Sequence, residues 1–372
     1  MKKKFVLYYD WLRNVHFGKD VFLVPYYLGK QLDCEVSIVY LKCEEVLPTS
    51  WRGVHLVPIG GYKWKWLNIL CYYFYLCKES KRIDYMMRFH LKWHTFLMVS
   101  LYKFLNPKGK AYVKADIDPM DIPEKHEIGV RDKLLIPLFK EKLDVVSCET
   151  KWAFKKMKES SSPFFNYGSK LVLMPNGFDE ELFSSQKMHV NSFDEKENIM
   201  ITIGRLGTYQ KNTEMLLNAL EKVDLKDWKF YLIGSLTEDF KPTWERFVHN
   251  HPQKRNKIIY KGEITDKREL FDIYNRAKVF VLTSRFEGYP IVYTEAQRFK
   301  NYIISTSVGA AYDVIDDGKY GEMINLSDDS ALANSLNRVI QESTNTDVFD
   351  SFDMDEISWD KCIGQVLKAL KE

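Results

Sequence analysis

Two stretches in the second half of the chain carry residue types that could hold a diphosphate and a set of sugar hydroxyls. A β-branched run ending at Ile203 passes into Gly204-Arg205-Leu206, a polar turn, then Lys211-Asn212 and a helix-period segment from Thr213 to Lys222. A strand-to-helix turn sets fixed cations beside unpaired backbone N–H groups at the positive end of a helix, which suits a diphosphate. Further on, Lys278–Thr283 leads into Ser284-Arg285-Phe286-Glu287-Gly288-Tyr289-Pro290 and a second helix-period segment, Ile291 to Lys300, with Pro290 at its first position. Glu287 precedes this helix and Glu295 falls in its second turn. Carboxylates there suit hydroxyls, because each accepts charge-assisted hydrogen bonds from a sugar or ribose. Gly288 lets backbone come close to a ligand.

Other chemistries have less behind them. No G-x-G-x-x-G or G-x-x-x-x-G-K-[ST] occurs, so a nicotinamide site or a P-loop has no motif. The six cysteines, at 34, 43, 71, 77, 148 and 362, form no C-x-x-C pair and no zinc-spaced cluster with histidine. They read as reduced thiols of a cytosolic protein. Asp116-Ile117-Asp118 has the spacing of a divalent-cation motif, but it lies far upstream of the candidate phosphate turn, and no metal site is assigned.

The blocks ITIGRLGTYQKNTEMLLNAL, FYLIGS, IIYKGEITDKRELFDIYNRAKVFVLTSRFEGYPIVYTEA and YIISTSVGAAYDVIDDGKYGEMIN, in this order and spacing, resemble the nucleotide-binding domain of glycosyltransferase family 4. LVLMPNGFDEELF is similar to that family's Pro-Asn-Gly-x-Asp segment, and DVVSCETKWAFKKM to the strand and helix before it. The resemblance implies the glycosyltransferase B fold, an α/β architecture of two Rossmann-like domains facing each other across a cleft. It also implies a retaining, metal-independent enzyme of the kind that builds bacterial surface polysaccharides. Such an enzyme needs no cofactor beyond its donor substrate, a nucleotide sugar taken here as a UDP-sugar, and transfers to a hydroxyl of a glycan or lipid-linked acceptor. Two alternatives share this architecture: a nucleotide-sugar 2-epimerase and a catalytically degenerate partner subunit.

By the same resemblance, Arg205 and Lys211 fall on the diphosphate-binding arginine and lysine, next to Gly204. Glu287 and Glu295 fall on the two ends of a Glu-x7-Glu motif, the first facing the donor sugar and the second the ribose. Gly288 and Tyr289 would offer backbone amides to the sugar phosphate. Many relatives carry Gly-Gly where this chain has Gly309-Ala310. In the first half, Gly18 is the candidate for the family's phosphate-side glycine loop, with His16 beside it as a polar surface residue. Asp116 stands where relatives place a histidine or aspartate against the donor sugar. Arg205, Lys211, Glu287 and Asp116 are therefore the catalytic candidates.

The elements that must position these residues alternate in a regular way. Strand-like runs at Ile199–Ile203, Lys229–Ile233, Ile258–Lys261, Lys278–Thr283 and Tyr302–Thr306 are separated by helix-period segments, which argues for a parallel sheet covered by helices. The first half repeats the pattern at Phe5–Tyr9, Glu35–Leu41, Val54–Pro58, Ala111–Ala115, Asp144–Cys148 and Lys170–Met174. The 372 residues, 45% apolar and 28% charged, fit two globular domains. The polar stretch 184–198 sets the boundary, giving an acceptor domain at 1–188, a nucleotide-sugar domain at 189–355, and a C-terminal helix at 356–372 that could pack back on the first domain. The start, MKKKFVLYYDWLR, reads as a first buried strand, since Asp10 and Arg13 interrupt its apolar run.

Charge is polarised along the chain. Residues 1–175 hold 29 Lys/Arg against 18 Asp/Glu, and residues 176–372 hold 25 against 33. Within the first half, residues 62–114 carry eleven basic residues against two acids, interleaved with tryptophans and tyrosines, and read as basic amphipathic helices. A helix packing with a solvated basic face, or a peripheral contact with anionic membrane, would use them. No nucleic-acid motif accompanies them, and nucleic acid is not expected as a partner. No apolar run reaches the about 20 residues of a spanning helix. The expected place is the cytoplasm, with association at the inner face of the plasma membrane.

Overall fold

The computed structural model describes residues 2–124 and 129–372, in two compact units. One runs to Asp179 and resumes at Ser358; the other is Glu180–Ile357.

The first unit is built on eight strands: β1 (Lys3–Tyr9), β2 (Cys34–Leu41), β3 (Ser50–Trp51), β4 (Val54–Ile59), β5 (Tyr85–Phe89), β6 (Lys110–Lys114), β7 (Val145–Cys148) and β8 (Leu171–Leu173). Their order is β3-β4-β2-β1-β5-β6-β7-β8, parallel throughout except for β3 against β4. Alternate residues of β1 serve opposite faces. Phe5 and Leu7 join a core with the helix Asp20–Gln31, whereas Val6 and Tyr8 join a second core under the helices Lys65–Glu79, Trp93–Leu105, Val130–Lys142 and Lys151–Glu159.

The chain's last residues complete this unit. Trp359, Ile363 and Val366 are fully buried in the core beside Tyr27 and Phe22. Gly177 makes room for them, because a Cβ there would stand 2.8 Å from the Trp359 backbone. Asp179 then accepts hydrogen bonds from the Tyr27 hydroxyl (2.7 Å) and from both terminal nitrogens of Arg52 (2.5 and 3.3 Å). The Pro-Asn-Gly-x-Asp segment is thus a structural latch of the first unit.

The second unit has a six-stranded, wholly parallel sheet: β9 (Glu197–Ile203), β10 (Lys229–Ile233), β11 (Ile258–Gly262), β12 (Ala277–Leu282), β13 (Tyr302–Thr306) and β14 (Gly321–Ile324), in the order β11-β10-β9-β12-β13-β14. Strand order reverses between β9 and β12. In sheets of this type ligands bind beyond the carboxyl ends of the strands at such a reversal.

Two sequence readings need correction. The division falls at Asp179/Glu180, not at 188/189. The polar stretch misleads because the short helix Glu180–Ser185 before it is already anchored in the second unit, with Phe183 against Phe271 and Phe299 and Glu180 paired to Arg298 at 2.7 Å. Residues 62–114 are not helices alone: they contain β5, which lies beside β1 at the centre of the sheet. Arg88 and Lys114, counted with the basic block, are buried, and Lys103 and Lys110 are paired with Asp144. No helix among the described residues is long and apolar enough to cross a membrane.

Candidate active site

The turn after β9 and the turn after β12 are neighbours because their strands are, and a set of hydrogen bonds ties them together. The Thr283 hydroxyl donates to the carbonyls of Lys211 (3.0 Å) and Asn212 (3.2 Å). The Arg285 amide donates to the Gln210 carbonyl (2.8 Å), its guanidinium donates to the Tyr209 carbonyl (2.6 Å), and the same group lies 4.4 Å from the centre of the Tyr209 ring. The helix Thr213–Glu221 starts here, with Asn212 in the left-handed region (φ 48°) and without a side-chain cap. Its first N–H groups therefore have no capping side chain, which is the arrangement that favours an anion.

Lys211 and Glu287 meet across this junction. The Lys211 ammonium donates to Glu287 Oε1 at 2.5 Å, the Ser284 hydroxyl donates to the same oxygen at 2.7 Å, and Gln210 Nε2 donates to Oε2 at 3.2 Å. Gln210 Oε1 in turn accepts from Arg205 Nη2 at 2.9 Å, so one amide links the arginine to the carboxylate. The side chains of Lys211 and Glu287 are 13% and 7% exposed. Among the described residues Glu287 is the one carboxylate on Lys211, and an ammonium has three donors. Arg205 is exposed, with Nη2 engaged by Gln210. Two cations at a helix start can thus accept a diphosphate without dismantling the pair beneath.

Glu295 is buried and separately held. Lys267 donates to its Oε1 at 2.7 Å and the Tyr274 hydroxyl to its Oε2 at 2.9 Å. Burial, reinforced by Glu295, pushes the Tyr274 phenol well above its usual range, so it stays a donor. The helix carrying Glu295 is Ile291–Arg298, with Pro290 as its N-cap and so one residue outside the expected start. Behind Glu287, the Ala310 amide donates to the Gly288 carbonyl at 2.9 Å. Gly309, at φ 39°, is obligatory: a Cβ there would lie 1.9 Å from the Glu287 carbonyl oxygen. The second position needs no glycine, which is why Gly309-Ala310 suffices.

The structure thus brings Gly204, Arg205, Lys211, Glu287 and Gly288 together at one junction, with Tyr289 and Glu295 following in the same segment. Gln210, Ser284, Lys267 and Tyr274 were not singled out by sequence reasoning. Lys267 and Tyr274 sit at i and i+7 of the helix Lys267–Arg276, on one face, but nothing in spacing points them at Glu295.

Gly18 and Asp116 belong to the first unit. Gly18 lies in the turn before the helix Asp20–Gln31, behind the short turn Asn14–His16 in which the His16 ring accepts the Arg13 amide. Asp116, two residues past β6, has φ 45° and faces His90 Nδ1 at 3.6 Å. Beneath it lies a closed ionic cluster. Lys114, with 0% exposure, donates to Asp20 at 2.9 Å and Glu149 at 2.8 Å, and Glu149 also accepts the amides of Asp116 (3.0 Å) and Ile117 (3.3 Å). Burial alone would lower the Lys114 pKa, but Asp20, Glu149 and Asp116 outweigh it and hold it well above its usual value. Burial pushes Glu149 up to about 7, against the pull of Lys114. Asp118 does not join Asp116: its carboxylate accepts the Met120 amide at 2.8 Å. Among the described residues no three His, Cys, Asp or Glu side chains are grouped as metal ligands.

Residues 197–342 match the family model of the group 1 glycosyl transferases, and the chain has the GT-B glycosyltransferase fold. The chain is 31% identical over 180 residues, 46% of its length and 45% of the other's, to the Campylobacter jejuni GalNAc-alpha-(1->4)-GalNAc-alpha-(1->3)-diNAcBac-PP-undecaprenol alpha-1,4-N-acetyl-D-galactosaminyltransferase. It is 28% identical over 225 residues, 52% of its length and 60% of the other's, to the amylovoran biosynthesis glycosyltransferase AmsD of Erwinia amylovora. The match spans about half the length of these curated relatives. The crystal structure of Anabaena HepE in complex with UDP superposes with a TM-score of 0.70 at 14% identity, covering 99% of both chains.

Proposed function

We propose that the chain transfers a sugar from a nucleoside diphosphate donor to a hydroxyl of a glycan or lipid-linked acceptor, with retention at the anomeric carbon and without a metal ion. The observation that carries this reading is the Lys211–Glu287 pair, with Arg205 linked to it through Gln210, at an uncapped helix start.

In this reading Arg205, Lys211 and the helix start hold the diphosphate. As the bond between the anomeric carbon and the phosphate oxygen breaks, negative charge collects on that oxygen, where fixed cations stabilise it more than in the ground state. The acceptor oxygen bonds to the same face of the carbon and its proton passes to the departing phosphate oxygen, leaving the nucleoside diphosphate. Glu287 orients Lys211 and receives donor-sugar hydroxyls, Glu295 receives the ribose, and the backbone at Gly288 and Tyr289 faces the sugar phosphate. Asp116 of the first unit is assigned to the reacting sugar.

A UDP-sugar is the proposed donor, in line with solved neighbours described in complex with UDP and with UDP-glucose. A lipid-linked acceptor accords with the undecaprenol-linked substrate in the name of the Campylobacter relative. The same reading sets the protein at the inner face of the plasma membrane, in contact with anionic lipid through residues 62–114.

Incubation with radiolabelled UDP-, GDP- and ADP-sugars and a membrane lipid extract tests the reading. Label in lipid or glycan supports it; free rearranged sugar marks an epimerase, and no turnover marks a partner subunit. Activity is expected to persist in EDTA. Its loss, with rescue by Mn²⁺ and sensitivity to Asp116→Asn with Asp118→Asn, would overturn the metal-free step.

A further inference from the structure

The first unit carries apolar side chains on the wrong side of its helices. In the helix Lys65–Glu79, Tyr72 and Leu76 fill the core, yet Trp66, Leu70 and Phe74, spaced by four, are 57%, 52% and 75% exposed. The helix Val130–Lys142 repeats this: Ile136 and Phe139 are buried, while Val130, Leu134 and Leu138 are 78%, 74% and 44% exposed. Between them the helix Trp93–Leu105 turns Phe104 outward. All three helices cover the same face of the sheet and share one core. Single exposed apolar residues are ordinary; aligned rows on adjacent helices mark an interaction surface.

We propose that this three-helix layer is a membrane-docking face that inserts shallowly into a bilayer rich in anionic phospholipid. The inference rests on the membrane reading above and relocates it, since the helix Val130–Lys142 lies outside residues 62–114 and part of the basic block is buried. Charge selects the occupant. Lys63, Lys78, Lys81, Lys92 and Lys133 are exposed around the rows, whereas Glu79 is engaged by Arg82 (3.5 Å) and Asp132 by Arg131 (3.2 Å). A second copy of the chain would bring this basic surface against itself, because a two-fold dimer pairs the same patch with itself. Anionic headgroups complement it. Trp64 and Trp66, stacked 6.1 Å apart at the start of the first helix, are the side chains that favour the interface between headgroups and acyl chains.

Cosedimentation with phosphatidylcholine vesicles, with and without phosphatidylglycerol, tests the face on the full chain, with UDP binding by calorimetry measured on the same preparations. Binding is expected to rise at least tenfold with phosphatidylglycerol and to fall with salt. Phe74→Ser with Leu134→Ser should abolish retention at any salt, because charge without insertion is weak. Lys81→Glu with Lys133→Glu should remove the anionic preference, at about fivefold for each charge lost. All variants should bind UDP like the wild type. Equal binding to both vesicle types, none to either, or a dimer in sedimentation velocity that Leu134→Ser dissolves would each overturn the proposal. A chain that binds UDP but no vesicles sinks the docking face alone, and one that binds vesicles but no nucleotide sinks the transferase reading alone.

Discussion

Two lysine–carboxylate clusters, one in each unit, differ in what they leave available. Lys114 has no exposure and two carboxylates, and Glu149 spends its remaining capacity on the Asp116 and Ile117 amides. Lys211 keeps 13% exposure, one carboxylate and an uncapped helix start beside it. The first cluster is closed and fixes the backbone on which Asp116 stands. The second is open and has donors to give to a ligand. A buried charge is therefore a poor pointer to chemistry by itself; the unused donor is the better one.

The sharpest way to break this comparison is to remove each ammonium. Lys114→Met strands the fully buried Glu149 and the partly exposed Asp20 and should cost about 3 to 5 kcal/mol in urea unfolding, whereas Lys211→Met leaves Glu287 its hydrogen bonds from Ser284 and Gln210 and should cost no more than about 2. Equal losses would mean that both clusters are structural. On turnover the order reverses: Lys211→Ala and Arg205→Ala should each lower transfer by about 10² to 10³ with melting temperatures nearly unchanged, in keeping with the role on the diphosphate proposed for both groups.

Glu149 sharpens the comparison through pH. With its carboxyl raised to about 7 in the folded state, the native protein binds the extra proton between the ordinary glutamate range and about 7, so stability from this group is present at low pH and lost as pH rises through that window. The groups facing it are Lys114, Asp20 and Asp116. Relative to Glu149→Gln, the wild type should lose about 3 kcal/mol between pH 4 and pH 8. A flat difference across that range would contradict the assignment. The smallest effect is expected at the tie between the loops: Arg285→Ala should lower turnover about tenfold by releasing Tyr209, while the backbone amide at 285 still holds the Gln210 carbonyl, and leave stability within about 1 kcal/mol. A larger loss of stability than of turnover would make Arg285 a folding residue.

Much of the second unit could be read in advance because its strands are short β-branched runs between clear helix periods, as at Ile199–Ile203 and Tyr302–Thr306. β5 escaped notice because YMMRF holds an arginine and two methionines inside a basic, aromatic block. Arg88 is tolerated there since its guanidinium donates to the Tyr8 carbonyl at 2.8 Å and to Asp10 at 3.3 Å. β14, GEMI, is too short and mixed to carry a period. In the candidate site, Arg205, Lys211 and Glu287 sit at strand-to-helix turns and Glu295 one turn into its helix, but what set the four apart was the resemblance of the whole stretch to the nucleotide-binding domain of glycosyltransferase family 4. Lys267 and Tyr274 lie 28 and 21 residues from Glu295, and Gln210 lies 77 from Glu287. Such pairs are made by the fold and leave no local signature.

The most direct test of the central claim is calorimetric titration with UDP, GDP and ADP of the wild type, Lys211→Ala, Glu295→Gln and Asp116→Asn. The wild type should bind one of the three, Lys211→Ala and Glu295→Gln should weaken that binding at least tenfold (about 1.4 kcal/mol or more), and Asp116→Asn, at the residue proposed to face the sugar, should leave it unchanged. Failure of the wild type to bind any nucleotide, or loss confined to Asp116→Asn, would contradict that claim.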